Sequence, residues 1–424
     1  MAVRRKLGRQ FGWLWAAYAV SAYGTGLGFG AFAVIAIRVL HAGPAQVSAL
    51  AAAGLAVGAV LAVPLGPWVE FRRKRLVMIA MDLIRFAAMA SIPAAYLLGG
   101  LSFAQLLVVS VIAGAAKIAF RSASGACLKA LVRPEDLIVA SARFESTTWT
   151  ATVVGPPLGG LAIGLLGPVI TVAADAASYL LSAAGIAAIR GREQRPQRAP
   201  ARQSGPREAA GSRLRAAGLL DGWRYILRHP VLRRLFFNTL LVNGLLLATE
   251  PLVSVLMLGR LGFAPWQFGL AFAAPCVGGL IGARLAPRLA ERAGQHTVMT
   301  VAGTLRACWP LGLMFIQHGA AGIVLVIVVQ FGLVTSIGVF NPVYASYRLA
   351  QLGQDQVART LAAWSVTSNG VTAALTALGG LLAEVTGPRV ATGVAGVALL
   401  ATPLLLPRRA AVPLPSSSPV TLDA

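Results

Sequence analysis

Five ionisable side chains stand inside stretches of sequence that are otherwise apolar: Asp82, Arg85, Asp175, Glu250 and Arg306. A charge at the centre of a bilayer costs roughly 2.5–3.5 kcal/mol on insertion scales, so such residues are candidates for handling ions or substrates. Asp82 and Arg85 are one helical turn apart and can neutralise each other, or take part in coupling. Arg306 has no acid in its own segment, because Gly303 occupies the place three residues before it. Its partner could be Glu145, Asp175, Glu250 or an anionic substrate. Asp175 and Glu250 lie at similar depth, about 10–12 Å at 1.5 Å per residue, and are expected to share a cavity. A carboxyl group facing such a cavity can carry a proton, although either acid could instead only hydrogen-bond a neighbouring helix. Glu250 precedes Pro251, where a bend would turn it toward water, and Asn238 and Asn243 add polar groups lower in the same segment. Tyr18, Tyr23, Trp149, Tyr344 and Trp364, with Asn341 and Asn369, either line an amphipathic pocket or simply pack. Cys127, Cys276, Cys308 and the four histidines are scattered, and no nucleotide loop or nucleophile elbow is visible. No metal, cofactor or catalytic residue is therefore expected, and the chain is not read as an enzyme.

The elements that must hold these residues are membrane spans. Of 424 residues, 57% are hydrophobic and 12% charged, whereas soluble domains are about a quarter charged. Residues 10–37, 86–116, 146–174, 261–283, 307–347 and 360–383 contain no Asp, Glu, Lys or Arg. Twelve apolar runs long enough to cross a bilayer can be marked, at about 11–37, 46–69, 76–98, 102–121, 140–165, 168–190, 234–258, 265–287, 297–317, 321–347, 358–383 and 388–407. The first is too long for the apolar region of a signal peptide and should stay uncleaved. The expected fold is an all-α polytopic membrane protein of twelve transmembrane helices.

The net charge of +23 would suit a nucleic-acid partner if it were gathered on one surface, but it is distributed by topology. Of 37 Lys and Arg, 32 fall at the N-terminus, at the C-terminus or around the loops after even-numbered spans, and only Arg38, Arg260 and Arg389 fall on the opposite side. Positive charge gathers on the cytoplasmic side. Both termini are therefore expected in the cytoplasm, the protein in the cell membrane, and no nucleic acid among its partners. Residues 191–231, rich in Arg, Gln, Pro and Gly, read as a cytoplasmic linker between residues 1–190 and 232–424. Its end, 213–228, has the helical spacing of an interfacial helix, or of a short solvated one.

The two sides of the linker are copies. A shift of 221 residues places Pro44-Ala45-Gln46 on Pro265-Trp266-Gln267, Glu70 on Glu291, Val77-Met78 on Val298-Met299 and Arg85 on Arg306. A shift of 220 places Gly159-Gly160-Leu161 on Gly379-Gly380-Leu381 and Gly167-Pro168 on Gly387-Pro388. Six spans per half is an even number, so both bundles sit the same way up, related by an axis along the membrane normal. That is a transporter design.

These residues resemble the major facilitator superfamily across essentially the whole chain. Its signature loop after the second span corresponds to Gly66-Pro67-Trp68-Val69-Glu70-Phe71-Arg72-Arg73-Lys74-Arg75, with Glu70 in place of Asp and Phe71 in place of the first Arg. Asp82-Leu83-Ile84-Arg85, Leu131-Val132-Arg133-Pro134-Glu135-Asp136-Leu137, Gly155-Pro156-Pro157-Leu158-Gly159-Gly160 and Asp175-Ala176-Ala177-Ser178-Tyr179-Leu180 are similar to the macrolide, siderophore and multidrug efflux branch. An Asn usual near Ser141 and a Pro usual near Ser122 are missing. The resemblance implies two pseudo-symmetric six-helix bundles, a cytoplasmic gate latch formed by Gly66, Glu70 and Arg72 to Arg75, and a span-5 motif typical of exporters. Gly155, Gly159 and Gly160 permit close helix approach, while Pro156 and Pro157 permit a bend. The expected function is proton-coupled efflux of a small amphipathic compound by a monomer, the partners being lipid, substrate and protons. An importer or uniporter of a polar metabolite is the alternative, and a membrane enzyme or assembly factor a remote one.

Overall fold

The computed structural model describes residues 8–70, 72–133, 136–189, 221–350 and 357–406. Among them there is no strand, and each of the twelve expected spans coincides with a helical rod. In order, spans 1 to 12 are Arg9–Val39, Pro44–Glu70, Lys74–Leu97, Phe103–Leu131, Leu137–Leu166, Pro168–Ala187, Pro230–Arg260, Pro265–Ala293, Gln295–Phe315, Ala320–Ala350, Val357–Thr386 and Pro388–Leu405. Ten of these are long and apolar enough to cross a bilayer, and the two pieces of span 5 meeting at 40° add an eleventh. Span 2 is 27 residues long, about 40 Å at 1.5 Å per residue.

Local chemistry explains where the rods start and stop. Spans 2, 6, 7, 8 and 12 begin on proline, which needs no intrahelical partner for its missing N–H at that position. Gly167 and Gly387 precede two of these prolines with φ of 86° and 89°, a conformation that only glycine adopts without strain. Spans 5–6 and 11–12 are thus joined by the same turn made twice. Spans 1 and 7 both finish in a π-helical turn, Ile35–Val39 and Val255–Arg260. The 40° bend in span 5 falls at Pro156 and Pro157, which remove backbone donors there.

The distribution of the core shows how the halves meet. At the end that carries both termini there are two separate cores. One is built on Phe11, Met78, Phe120 and Ile186, the other on Leu235, Met299, Phe340 and Trp364. At the far end a single core runs through both halves, from Ile35, Val47, Ile92 and Val172 to Leu256, Phe268 and Val329. Span 2 packs along span 11 and span 5 along span 8. The far seam is also tied by polar contacts: Arg38 Nη2 donates to the Phe263 carbonyl (2.8 Å), and the Glu384 carboxylate accepts the Ala45 N–H (3.2 Å) at the first turn of span 2. The halves are therefore welded at one end and hold separate cores at the other.

The segment expected as an interfacial helix, 213–228, lies partly outside the described residues. Residues 221–228 are helical, Trp223 Nε1 donates to Thr367 Oγ1 (2.8 Å), and Ile226 is fully buried in the second-half core. This stretch is docked on the bundle.

Candidate functional site

Each half presents a hollow to the axis, built from equivalent spans. The first, about 320 Å³, is lined by spans 1, 3, 4 and 5 through Tyr18, Thr25, Arg85, Lys117, Arg121 and Thr148 among others. The second, about 380 Å³, is lined by spans 7, 9, 10 and 11 through Asn243, Arg306, Asn341, Tyr344, Arg348, Trp364 and Asn369 among others. Because the halves are related by an axis along the bundle, equivalent hollows face each other across it. Phe29 stands at the top of the first hollow and contacts Phe272 of the other half, ring centroids 6.3 Å apart. The two hollows thus occupy equivalent places in the two halves, and the first reaches the seam between them at Phe29.

Asp82 and Arg85 form the ion pair that their spacing suggests, buried within span 3. The Arg85 guanidinium lies between two aromatic faces, 4.7 Å from the Phe120 ring and 4.4 Å from the Tyr179 ring. Cation–π contact of this kind holds a guanidinium in place without removing its charge. Arg306 is equally buried, and among the described residues its hydrogen-bond partner is an amide, with no acid beside it. Its Nη2 donates to Asn238 Oδ1 (2.7 Å), its Cζ lies 3.5 Å from the centre of the Phe340 ring, and Asn238 in turn donates to the Thr402 carbonyl (2.8 Å). Neither Asp175 nor Glu250 reaches it.

Asp175 and Glu250 do not share a hollow. Asp175 sits inside the first half, its carboxylate against the backbone of Gly24 and Gly28 in span 1. It accepts hydrogen bonds from Tyr179 Oη (3.3 Å) and Ser178 Oγ (3.5 Å), and Tyr179 Oη is bonded in turn to Thr25 Oγ1 (2.9 Å) on the cavity wall. Glu250 lies between the halves, in a seam hollow of about 260 Å³ with Phe29, Phe32, Leu50, Ser110 and Ser254. Among the described residues no cation lines that hollow. Equal depth along the axis is compatible with one shared cavity, but the two acids point to different sides of their spans.

The glycines of span 5 have distinct tasks. Gly155 and Gly159 lie against Gly26 and Leu27 of span 1, whereas Gly160 lies against Gly269 of span 8 in the other half. Pro156 lines the first hollow. In the loop after span 2, Lys74 Nζ donates to the Arg72 carbonyl (2.8 Å) and Arg75 Nη1 to the Ile189 carbonyl at the end of span 6 (2.5 Å). Arg72 and Arg73 are exposed. The side chains of Glu70, Glu145, Trp149 and Pro157, and the surroundings of Gly66, lie outside the described residues. Tyr23 is exposed and lines neither wall.

Three residues of these hollows escape the sequence reading, which counts Lys117 and Arg121, at the inner end of span 4, and Arg348, just past span 10, with the cytoplasmic loop charges. Span 4 continues as helix to Leu131 and span 10 to Ala350, so all three point from helix into the hollows. The signal in the sequence is the absence of any Pro, or of a Gly/Pro pair, between Phe103 and Leu131, with Lys117 and Arg121 four residues apart on one face. Removing them from the loop count leaves the charge asymmetry intact. Among the described residues no group of His, Cys, Asp and Glu could hold a metal ion.

The family model of the Major Facilitator Superfamily matches residues 14–348. The multidrug efflux pump Tap of Mycolicibacterium fortuitum is 27% identical over 277 residues, covering 61% of this chain and 62% of the pump, so the match spans less than two thirds of that protein. Among solved structures, the nucleoside transporter NupG superposes with a TM-score of 0.71 over 94% of this chain and 98% of its own, at 12% identity. A bacterial homologue of the iron transporter ferroportin in an inward-facing state does so with 0.70, over 95% and 98%, at 17% identity. At those identities the likeness concerns the fold.

Proposed function

Because the chain belongs to the major facilitator superfamily, and is thus a multi-pass membrane transporter of small molecules, we propose that it exports a small amphipathic compound from the cytoplasm in exchange for protons. The observation that carries this reading is the pair of equivalent hollows, aromatic and polar, which we take as opposite walls of one central cavity beneath a weld at one end only. With the basic loops and both termini in the cytoplasm, the cavity opens inward, ready to load from the cell. Rocking the halves about the cavity would break the weld and form a seal at the opposite end. Gly66, Glu70 and Arg72 to Arg75, in the loop after span 2, are the residues we assign to that inner seal.

Glu250 suits the role of proton carrier because its surroundings change when the halves rock. It sits in the seam itself, away from any described cation, and opening the weld would expose it to the outside. Each proton moving inward through 100 mV releases about 2.3 kcal/mol. The likeness to a multidrug pump supports export. Expression in cells stripped of their own pumps tests the reading: tolerance to at least one member of a toxic-compound panel should rise and should vanish with a protonophore. Unchanged tolerance across the panel, or greater sensitivity, overturns export.

A further inference from the structure

We propose that the central cavity selects organic anions, compounds that join a carboxylate, phosphate or sulfonate to an aromatic or apolar body. The inference rests on the transport reading above and specifies its substrate class. The duplication makes the argument. Arg85 and Arg306 occupy equivalent places, and each guanidinium lies on an equivalent phenylalanine, Phe120 or Phe340. Of the two, only Arg85 has a described carboxylate beside it. The position equivalent to Asp82 is Gly303, and a methyl group built there would fall 2.9 Å from Leu406 Cδ1 and 3.1 Å from Phe340 Cε2. In the second half Leu406 and Phe340 stand where the side chain of a neutralising acid would begin.

The remaining groups do not restore the balance. Arg348 lines the same wall as Arg306, its Cζ 5.2 Å from the Tyr344 ring and 5.1 Å from the Trp364 ring, and the Nε atoms of both arginines lack a hydrogen-bond acceptor among the described residues. Across the cavity, Lys117 and Arg121 add two exposed cations. Among the described residues, five cations and no carboxylate line the two walls. Asn243, Asn341, Asn369, Ser365 and Ser368 supply neutral donors around Arg306 and Arg348. Arginine forks with amide donors fit the oxygens of a carboxylate, phosphate or sulfonate, and the flat aromatic faces fit the ring that carries it. Among the described residues the cations of the two walls repel a cationic compound, and no carboxylate offsets that repulsion.

Two dyes of opposite charge test this on the purified full chain in nanodiscs of phosphatidylcholine: carboxyfluorescein, an aromatic anion, and ethidium, an aromatic cation. Fluorescence anisotropy should show carboxyfluorescein bound at least roughly tenfold more tightly than ethidium, and more weakly as ionic strength rises. Arg348→Gln and Arg306→Gln should each weaken carboxyfluorescein at least about tenfold, with Arg306→Lys retaining more binding than the glutamine. Arg306 is fully buried, so Asn341→Asp gives an independent arm on an exposed cavity position. It should weaken the anion and strengthen the cation. Tighter ethidium binding, no carboxyfluorescein binding, or indifference to Arg348→Gln and Asn341→Asp overturns the inference. Carboxyfluorescein displaced when phosphatidylglycerol is included in the disc would assign the cations to a lipid headgroup and overturn it as well. Transport is read separately in proteoliposomes under a pH gradient. Anion binding without gradient-driven movement keeps this site and removes the transport reading, whereas movement of ethidium alone keeps transport and removes this inference.

Discussion

Gly160 of span 5 and Gly269 of span 8 meet backbone to backbone across the two halves: a methyl group on Gly160 would fall 2.6 Å from the Gly269 α-carbon, and one on Gly269 2.5 Å from that of Gly160. No side chain fits between them, so this crossing lies at van der Waals limit and closes the seam above the cavity. Opening the seam removes the constraint. A bulky residue therefore penalises only the conformation in which the far end is shut.

Gly269→Val should accordingly shift the protein toward the far-open state. Overpacking of this kind costs roughly 1–3 kcal/mol, enough to change the ratio of states by about fivefold to more than about a hundredfold. The reporter is Ser254→Cys, buried in the seam hollow, in a background with Cys127, Cys276 and Cys308 replaced by alanine. Thiol labelling should be slow in the parent and fast with Gly269→Val. Equal rates would mean that spans 5 and 8 stay together throughout the cycle.

Glu384 offers a weaker lever on the same seam. Its carboxylate lies at the first turn of span 2, accepting the Ala45 N–H from the opposite half, where an anion interacts favourably with the helix dipole. Such contacts contribute about 0.3–1 kcal/mol, so Glu384→Gln should raise the Ser254→Cys labelling rate roughly two- to fivefold. Added salt should reproduce part of the effect in the parent and little in the variant. A salt response that survives unchanged in Glu384→Gln would place the seam's electrostatics elsewhere.

Much of this architecture is legible in the repeat. Offsets of 221 and 220 pair Arg85 with Arg306, and the pairing of Gly167-Pro168 with Gly387-Pro388 corresponds to two identical turns. What the repeat lacks is the direction in which a side chain leaves its helix. Lys117, Arg121 and Arg348 read as loop charges because cations near the end of an apolar run are counted with the loop that follows, while a water-filled cavity tolerates cations inside a span. The same blindness to direction groups Asp175 with Glu250. Depth follows from counting residues, but the side of the helix facing a seam depends on packing between distant segments.

The Asp82–Arg85 pair yields a prediction about stability. Asp82 Oδ2 and Arg85 Nε both lack hydrogen-bond partners among the described residues, so the pair is incompletely satisfied. Removing one member leaves a buried charge alone, at a cost of about 3–5 kcal/mol, whereas replacing both by apolar residues of similar size is often neutral. Asp82→Leu and Arg85→Met should each lower abundance and the apparent Tm in detergent, and the double variant should recover most of the loss. A double variant no better than the worse single one would show that the two charges act independently.

The final prediction separates the two acids. A proton carrier must be shut away from one side of the membrane when it is open to the other, and rocking two rigid halves changes exposure only for groups at their interface. Glu250 is such a group, set between Phe29, Leu50 and Ser110 of one half and Ser254 of its own. Asp175 is not, since Gly24, Gly28, Ser178 and Tyr179 all belong to its own half and move with it. Glu250→Gln should therefore abolish movement driven by a pH gradient in proteoliposomes while downhill exchange of substrate persists. Asp175→Asn can still accept from Tyr179, so it should retain the gradient response and at most lower abundance. Tyr179→Phe adds a control: it removes the hydroxyl that links Asp175 to Thr25 on the cavity wall. If Asp175 exchanges protons with the cavity through that hydroxyl, Asp175→Asn and Tyr179→Phe will lose gradient-driven movement together while Glu250→Gln keeps it, and the carrier is then the acid buried inside one half rather than the one at the seam.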